Sequence, residues 1–145
     1  MNDTQSKIKL WMAMAGQATP DAPTIPSSSI LQLRAQLILE EAIEFIEAAG
    51  MRLKHSEDGI EVVPIPVLMN TKPNLVLMVD ALCDLMYVVE GSGVALGVDL
   101  APCFDEVHTS NLSKIGGEVR SDGKVLKPPT YKAPDLAPII KAQGQ

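Results

Sequence analysis

The feature that most constrains this chain is a row of glutamates at helix positions that should face a core. Leu33 and Leu37 begin a regular helical spacing. Glu40, Glu44 and Glu47 continue that spacing in the segment LILEEAIEFIEA. At 100° per residue, the five side chains fall within an arc of about 80° on one helix face. Because ionised carboxylates are rarely buried without partners, this helix predicts a functional site rather than plain packing.

A second apolar segment, VDALCDLMYVV, carries matching acids. Asp80 and Asp84 are four residues apart, which places both on one side of a helix, and Glu41 flanks the glutamate row. Two carboxylates ~5 Å apart repel by roughly 3 kcal/mol at an effective dielectric near 20. Mg²⁺ or Mn²⁺ held by oxygen ligands is the simplest partner that offsets this repulsion. The candidate metal ligands are Glu40, Glu41, Glu44, Asp80 and Asp84.

The competing interpretation of the glutamates is a solvated helix face, which is what most acidic runs are. Their position argues against it, since exposed glutamates would leave Leu33 and Leu37 exposed as well. Glu47 lies one turn beyond the others and is expected at the rim. Tyr87 follows Asp84 by three residues, where it either hydrogen-bonds a carboxylate or a substrate oxygen, or is a plain core tyrosine.

Length and composition set the class of protein. The chain of 145 residues is predicted to form one domain, residues 1–145, with a helical core at about 5–115 and a C-terminal arm at about 116–145. Hydrophobic residues make up 46% of the chain and aromatic residues only 3%, so the expected core is aliphatic. A net charge of −6 argues against nucleic-acid polymers, which need a basic surface. The expected partner is a small molecule or another subunit.

The sequence predicts neither export nor membrane insertion. No apolar run reaches the ~18 residues of a membrane span, and the start shows no signal-peptide pattern. Cys83 and Cys103 lie in apolar helical segments and are expected to be core thiols, with a disulfide as the alternative. These features predict a cytoplasmic protein, in the host cytoplasm if its source is viral.

Hydrophobic spacing and end signals predict four helices, at about residues 5–15, 27–54, 75–96 and 99–114, with Gly97 ending the third and Asp99 capping the fourth. A turn at Asp58 and Gly59 and a β-like stretch at about 60–68 are expected between the second and third helices. A small hairpin about Asp122 and Gly123 is expected in the arm. The predicted fold class is all-α, a four-helix-bundle-like arrangement with a turn-rich C-terminal arm. The third helix is apolar nearly all round, which predicts burial on several sides and a symmetric homo-oligomer.

Positive charge is concentrated late in the chain. Carboxylates without histidine or thiolate partners leave positions on a hard cation open to water and phosphate, which suits phosphoryl chemistry. The segment SNLSKIGGEVRSDGKVLKPPTY supplies Lys114, Arg120, Lys124 and Lys127 as candidate phosphate contacts. For any one of these lysines, the alternative is an ordinary solvated side chain. For Asn111, which precedes a helix end, the alternative is a helix cap.

Four segments together resemble a known family. They are the EExxE of residues 40–44, the aspartate pair followed by LMYVVEGSGVALGVD, the SNLSK of residues 110–114, and DGKVLKPPTYKAPDL. Over about residues 23–139, the chain resembles the MazG-like members of the all-α nucleoside triphosphate pyrophosphohydrolase superfamily. Dimeric dUTPases and phosphoribosyl-ATP pyrophosphohydrolases belong to the same superfamily. The EExxE element is unspecific by itself, whereas the combination is specific.

The resemblance implies an enzyme that uses Mg²⁺, or Mn²⁺ in its place, and metal-activated water to hydrolyse a (deoxy)nucleoside triphosphate to the monophosphate and pyrophosphate. The implied catalytic residues are Glu40, Glu41, Glu44 and Asp84. The substrate-binding candidates are Asn111, Lys114, Lys127, Tyr131, Tyr87, Arg34 and Trp11. Trp11 either stacks on a nucleobase or is a core anchor. The implied assembly is a homotetramer of two tight dimers, with a dimer as the alternative.

One position departs from the family pattern and keeps two alternatives open. The family often has ExxD on this helix, whereas this chain has Ala81 three residues before Asp84 and places its second acid at Asp80. A noncatalytic nucleotide-binding or subunit-interaction module is therefore the first alternative. The second is a di-iron or di-manganese carboxylate bundle, for which Asp105 and His108 in DEVH supply only one of two required elements.

Overall fold

The structure is a computed structural model that describes residues 1–57, 59–66 and 72–144. Its elements are α1 (Asp3–Met14), α2 (Ser28–Ala48), β1 (Met51–Ser56), β2 (Gly59–Pro64), α3 (Leu75–Ala95), α4 (Leu100–Leu112) and α5 (Ala137–Ala142). Helices dominate, and the only sheet within the described ranges is the hairpin of β1 and β2, so the all-α fold class is confirmed. The predicted turn residue Asp58 and the end of the predicted 60–68 strand lie outside the described residues. No helix of the described chain is long and apolar enough to cross a membrane.

The chain divides into two compact units. The central unit, Pro26–Ser92, contains α2, the hairpin and most of α3. The terminal unit combines Met1–Ile25 with Gly93–Gln145 and contains α1, α4, α5 and the arm. All five predicted carboxylate ligands belong to the central unit, and the late lysines belong to the terminal unit.

The terminal unit is built around one face of α1. Its buried hydrophobic side chains are Ile8, Met12, Val94, Ala95, Val98 and Cys103. Gln5 on α1 is fully buried with them. Its side-chain amide donates to the Val98 carbonyl at 2.8 Å and accepts from the Leu100 N–H at 3.2 Å. Because both ends of the amide are hydrogen-bonded, its burial is tolerated and ties α1 to the start of α4.

Gly97 stops α3, as predicted. It adopts a φ of 67°, and a Cβ at this position would lie 2.1 Å from the Ala22 carbonyl oxygen. Both observations require glycine. Asp99 then caps α4 by accepting a hydrogen bond from the Ala101 N–H at 3.1 Å, so the predicted cap is confirmed. α4 ends at Leu112, slightly before its expected end.

The prediction that the second helix runs to about Lys54 is wrong. Gly50 has a φ of 74°, which ends the helical backbone, and the chain turns into β1. β1 pairs antiparallel with β2 in a register that sets Leu53 opposite Val62. This pairing overrides the helical propensity of the residues in β1. The predicted β-like stretch is confirmed over β2.

The expectation that Leu33 marks a core face is wrong for the single chain. α2 has no buried residue. Leu33 is 47% exposed, and Glu40, Glu44 and Glu47 are exposed as well. The physical reason is that α2 carries apolar side chains around much of its circumference. Within the described central unit, only α3 and the hairpin are available to cover them. Charged neighbours, rather than a core position, therefore distinguish these glutamates from an ordinary solvated helix face.

The expectation that the third helix is buried on several sides is likewise wrong within one chain. Leu75, Val76 and Met86 are 74%, 76% and 59% exposed. Ala81 is the only buried hydrophobic side chain of α3 inside the central unit. One helix and a short hairpin offer too little surface to cover an all-round apolar helix. Association of subunits through α3 stays a prediction.

The C-terminal region contains α5, which the sequence did not predict because six residues are too few for a hydrophobic period. Gln143 follows this helix, and its side chain accepts from the Asp99 N–H at 2.7 Å and donates to the Asp99 carbonyl at 3.1 Å. These bonds fasten α5 to the N-terminus of α4. The predicted arm hairpin is present as a bridge between Val119 and Val125 around Gly123, whose φ is 88°.

Both cysteines are free thiols, so the disulfide alternative is wrong. Cys103 is buried, as expected, and its pKa is raised first by burial and then by the negative charge of Asp99. Cys83 is exposed on α3, so its expected place in a core is wrong within the single chain. The cause is the same uncovered surface of α3 that exposes its leucines.

Candidate active site

The central unit brings the predicted carboxylates together around Glu41. The pKa of the Glu41 carboxyl is raised, first by loss of hydration and then by nearby negative charges. In decreasing order of effect, these charges belong to Glu44, Asp84, Glu40 and Asp80. The glutamates share α2, whereas the aspartates come from α3. The five carboxylates that the spacing singled out are therefore electrostatic neighbours.

Among the described residues, no salt bridge offsets the repulsion among these carboxylates. Glu41 is partly buried and the other four are exposed. Glu40 accepts a hydrogen bond from Gln36 Nε2 at 2.9 Å, one turn before it on α2. Within the described chain, none of the five carboxylates forms an ion pair. A cluster of this kind is stabilised when an external cation binds.

A metal ion at this cluster would be held by oxygen atoms alone. Among residues 1–57, 59–66 and 72–144, no three His, Cys, Asp or Glu side chains form a ready metal site. The donor chemistry nevertheless fits a hard cation, since carboxylates are the ligands that Mg²⁺ and Mn²⁺ prefer. Loss of hydration and then the charges of the other four carboxylates raise the pKa of Glu41, and a bound cation would relieve the second of these causes. The ligand set Glu40, Glu41, Glu44, Asp80 and Asp84 stays a prediction.

A pocket of about 470 Å³ opens beside the carboxylates in the central unit. Its lining residues are Glu44, Glu47, Ala48, Lys72, Asn74, Leu77, Asp80 and Ala81. Asn74 shapes the pocket, because its N–H donates to the Ala48 carbonyl at 2.9 Å and its Oδ1 caps α3 by accepting from the Val76 N–H at 3.0 Å. Among the described residues of this lining, Lys72 is the one cation, and it was not among the predicted site residues. The sequence signal for Lys72 was its position just before the helix that carries Asp80.

Three further candidates lie on helices and differ in exposure. Arg34 on α2 is partly buried, and loss of hydration lowers the pKa of its guanidinium. Tyr87 on α3 is 41% exposed, so the alternative of a plain core tyrosine is wrong. Trp11 on α1 is 51% exposed, while Ile8 and Met12 are the buried hydrophobic residues of that helix. The core-anchor alternative for Trp11 is therefore also wrong.

The terminal unit brings together four predicted substrate-binding residues, Asn111, Lys114, Lys127 and Tyr131, called here the cationic cluster. Lys114 Nζ donates to Asn111 Oδ1 at 2.7 Å and lies 5.7 Å from the centre of the Tyr131 ring. Lys127 Nζ lies 4.5 Å from the same centre. The pKa of Tyr131 is lowered, first by a hydrogen bond with Ser110 and then by the charges of Lys127 and Lys114. Two ammonium groups beside a phenol suit the binding of phosphate oxygens.

Two other candidates are engaged in separate contacts. The Arg120 guanidinium binds both carboxylate oxygens of Asp122 in the arm hairpin and lowers the pKa of that carboxyl to about 2. His108 stacks on Phe104 along α4, with ring centres 6.5 Å apart. In the described part of the chain, His108 joins no group that could hold a metal, so the di-iron alternative has no support.

Comparison with known families bears on what this arrangement does. The sequence model of phosphoribosyl-ATP pyrophosphohydrolase matches residues 10–111, which is well over half of the chain. This chain belongs to the phosphoribosyl-ATP pyrophosphohydrolase family. The family is a member of the all-α nucleoside triphosphate pyrophosphatase superfamily, as the resemblance predicted. Comparison with curated proteins gave no match.

Membership of the phosphoribosyl-ATP pyrophosphohydrolase family implies a pyrophosphohydrolase that acts on a nucleotide-like substrate. The matched range contains α2 and α3 with all five carboxylates, and it ends at Asn111. Lys114, Lys127 and Tyr131 lie beyond the match. The grouping of these three residues is therefore a finding of the structure rather than of the family comparison.

Proposed function

We propose that this protein hydrolyses a (deoxy)nucleoside triphosphate to the monophosphate and pyrophosphate in the presence of Mg²⁺. The observation that carries the proposal is the crowding of four carboxylates around Glu41, whose pKa is raised by loss of hydration and then by these charges, in a chain of a pyrophosphohydrolase family. Such crowding costs free energy in the absence of a cation and has no packing benefit. It therefore supports a cation-dependent site.

The five carboxylates would hold the ion, and Mn²⁺ is expected to substitute for Mg²⁺. Bound Mg²⁺ supplies positive charge that polarises a phosphoryl group and favours proton loss from water. In this proposal Glu41 binds the ion, Glu40 supports the ion or orients the attacking water, and that water loses its proton to bulk solvent without a protein base. Glu44 and Asp84 stay ionised, and their negative charge would hold the cation.

The cationic cluster would bind the phosphates. Lys114 and Lys127 stabilise negative charge that develops on the leaving pyrophosphate. Asn111 orients Lys114 through the hydrogen bond to its Nζ, and Tyr131 offers its ring and hydroxyl between the two cations. The remaining proposed substrate contacts are Arg34, Tyr87 and Trp11, of which Trp11 would stack on the nucleobase.

Two other functions have a specific observation in their favour. The family match favours phosphoribosyl-ATP as a second candidate substrate. A noncatalytic nucleotide-binding module is favoured by Ala81, which stands where the family often has a glutamate. Ala81 is 3% exposed, so an acid at this position would be desolvated in the free protein. The neighbouring Asp80 is exposed, which makes its charge less costly.

Turnover of a nucleotide panel tests the proposal. The panel contains the canonical ribo- and deoxyribonucleoside triphosphates, dUTP and phosphoribosyl-ATP, each with Mg²⁺ or with EDTA, and pyrophosphate release is measured. At least one nucleoside triphosphate should release pyrophosphate only with Mg²⁺. Glu41→Gln or Glu44→Gln should lower kcat by about a hundredfold or more while the helical circular dichroism is retained. Turnover of phosphoribosyl-ATP and of no nucleoside triphosphate would favour the second candidate substrate. Binding of a nucleotide without hydrolysis would favour the noncatalytic nucleotide-binding module.

The matched control is Glu61→Gln. Glu61 is an exposed acid of β2 in the same unit, with Lys54 3.9 Å away, and it lies outside the carboxylate cluster. The substitution removes the same charge and should leave kcat unchanged. Folded protein that turns over no member of the panel with Mg²⁺ or Mn²⁺ would contradict the proposed function.

The proposed assembly is a homo-oligomer, with a tetramer of two dimers favoured and a dimer possible. It is based on the exposed apolar residues of α3, such as Val76 and Met86. Sedimentation velocity tests it, and Met86→Glu should dissociate the assembly. A wild-type chain that sediments as a monomer at micromolar concentration would exclude it. The proposed location is the cytoplasm, which suits the two free thiols.

A further inference from the structure

Two contacts that flank Lys127 and Tyr131 hold the arm against the end of α4, and beyond them the Asp135 N–H donates to the Glu106 carboxylate of the same helix at 3.0 Å. At the first, a Cβ on Gly117 would lie only 2.2 Å from the Leu126 carbonyl oxygen. The returning arm therefore passes directly over the backbone that follows α4, which requires glycine there. At the second point, two serine side chains bind the backbone of Lys132. Lys127 and Tyr131 lie between these two points.

The second docking point is a pair of serines, Ser110 in the last turn of α4 and Ser113 at its C-cap, called here the serine clamp. Ser110 Oγ donates to the Lys132 carbonyl at 2.7 Å, and Ser113 Oγ accepts from the Lys132 N–H at 2.9 Å. Ser113 Oγ also donates to the Ser110 carbonyl at 2.7 Å. Ser110 is 5% exposed, and its side chain is the main cause that lowers the pKa of the Tyr131 phenol. Both backbone groups of Lys132 are thus held by side chains of one helix end.

The contact between Lys127 and Tyr131 does not need this clamp. The Tyr131 N–H donates to the Pro128 carbonyl at 3.0 Å, and the resulting turn brings the two side chains together. Lys114 belongs to the segment that directly follows α4 and is 5.7 Å from the Tyr131 ring. The turn by itself does not hold Lys114 near the ring. That distance depends on how the arm is docked.

We propose that Ser110 and Ser113 are positioning residues that hold the arm so that Lys127 and Tyr131 stand beside Lys114 as one polyphosphate-binding cluster. The inference rests on the proposed function only for the identity of the ligand. The serines act through the backbone of Lys132 and through Tyr131 rather than on the phosphates. A preordered pair of cations binds a polyphosphate more tightly than two cations that must first be brought together, because ordering the arm costs free energy.

The experiment compares Ser110→Ala and Ser113→Ala with Thr109→Ala in the full-length protein. Thr109 is the matched control, since its hydroxyl also lies at the end of α4 but donates to the Asp105 carbonyl of the same helix at 2.9 Å. Binding of inorganic tripolyphosphate without divalent metal is measured by calorimetry. Each serine variant should bind about fivefold more weakly, which corresponds to the loss of one net hydrogen bond. The Thr109 variant should bind as the wild type does.

A second readout reports on the arm without any ligand. The chain has two tyrosines, so in a Tyr87→Phe background the absorbance at 295 nm follows Tyr131 alone. Ser110→Ala removes the side chain that lowers the pKa of Tyr131 most, and in both serine variants the released arm moves Tyr131 away from the Lys114 charge. The midpoint of the Tyr131 titration should therefore move to higher pH in both variants. If nucleotides are turned over, the serine variants should raise KM more than they lower kcat. Ser113→Thr retains the hydroxyl and should restore both binding and the midpoint.

Serine variants that match Thr109→Ala in tripolyphosphate affinity and in the Tyr131 midpoint would overturn the inference. If Ser110→Ala fails to fold, Ser113→Ala decides the outcome, since Ser113 is partly exposed and leaves no buried cavity. Neither readout requires hydrolysis. A protein that turns over no nucleotide but loses tripolyphosphate binding in the serine variants would contradict the proposed function and retain the positioning role.

Discussion

The Lys127 ammonium lies 4.5 Å from the centre of the Tyr131 ring, held there by a turn of the C-terminal arm. A cation over an aromatic face is attracted by the negative face of the ring. The same geometry leaves the ammonium accessible to an anion, because Lys127 is exposed. The arm therefore carries a preformed element for phosphate binding, independent of the carboxylates in the central unit.

Lys127→Met should weaken nucleotide binding and shift the titration of Tyr131. Loss of one charge-assisted contact is expected to lower kcat/KM by about tenfold to a hundredfold. The pKa of Tyr131 is lowered first by the Ser110 hydrogen bond and then by Lys127, so removing Lys127 should move the midpoint to higher pH. Steady-state kinetics and absorbance at 295 nm measure the two effects. Lys141→Met, an exposed lysine of α5, is the control and should change neither.

The same substitution should affect stability more at alkaline pH than at neutral pH. A lowered folded-state pKa of a phenol stabilises the fold above the pKa of the unfolded chain, and this contribution disappears as pH falls through the folded pKa. At neutral pH the phenol is protonated in both states, so Lys127→Met should lose only the cation–π contact, which contributes about 0.5–1 kcal/mol at an exposed site, as measured by urea unfolding. A difference at pH 7 as large as that at alkaline pH would contradict this account of Tyr131.

Glu41→Gln should stabilise the metal-free protein at neutral pH. The folded-state pKa of Glu41 is raised above its usual value of 4.5. Protonation of Glu41 therefore stabilises the fold fully below the pKa of the unfolded chain, and this stabilisation is lost as pH rises through the folded-state pKa. The variant should therefore gain stability over wild type on going from pH 4 to pH 7. Solvent screening limits the gain to about 0.5 kcal/mol. Urea unfolding in EDTA measures it, and Glu61→Gln should show no comparable pH-dependent gain.

Mg²⁺ should raise the melting temperature of the wild-type protein. At a Mg²⁺ concentration of about 100 Kd, binding to the folded state alone contributes about 2.7 kcal/mol, which corresponds to a shift of several degrees. Glu44→Gln should lose most of this shift, because it removes one of the carboxylates that crowd Glu41. Scanning calorimetry with and without EDTA provides the measurement. Equal shifts in wild type and in Glu44→Gln would argue against a cation at the cluster.

Gln5→Ala should destabilise the terminal unit. Gln5 is fully buried and bonds the backbone of Val98 and Leu100, so truncation leaves two polar groups without this partner and creates a cavity. The expected loss in the free energy of unfolding is about 2–4 kcal/mol. Ser6→Ala is the control, because Ser6 is an exposed neighbour whose hydroxyl bonds only the preceding turn, and it should cost less than about 1 kcal/mol. Equal losses would contradict the role of Gln5.

Local signals in the sequence predicted the helices well where glycine and capping residues marked their ends. Gly97 and Asp99 are examples, because each acts on its own backbone or on the next turn. The strand β1 was missed because its residues are compatible with a helix, and only pairing with β2 decides between the two. α5 was missed because it is too short to show a period.

Helical spacing in the sequence is enough to place acids on one face of α2 and on one face of α3, because spacing along a helix is a local property. Packing of separate elements brings Asp80 and Asp84 near Glu41, puts Lys72 in the lining of their pocket, and lets the serines of α4 bind the arm at Lys132. These contacts join residues far apart in the chain. No periodicity encodes them, because they depend on how separate elements pack.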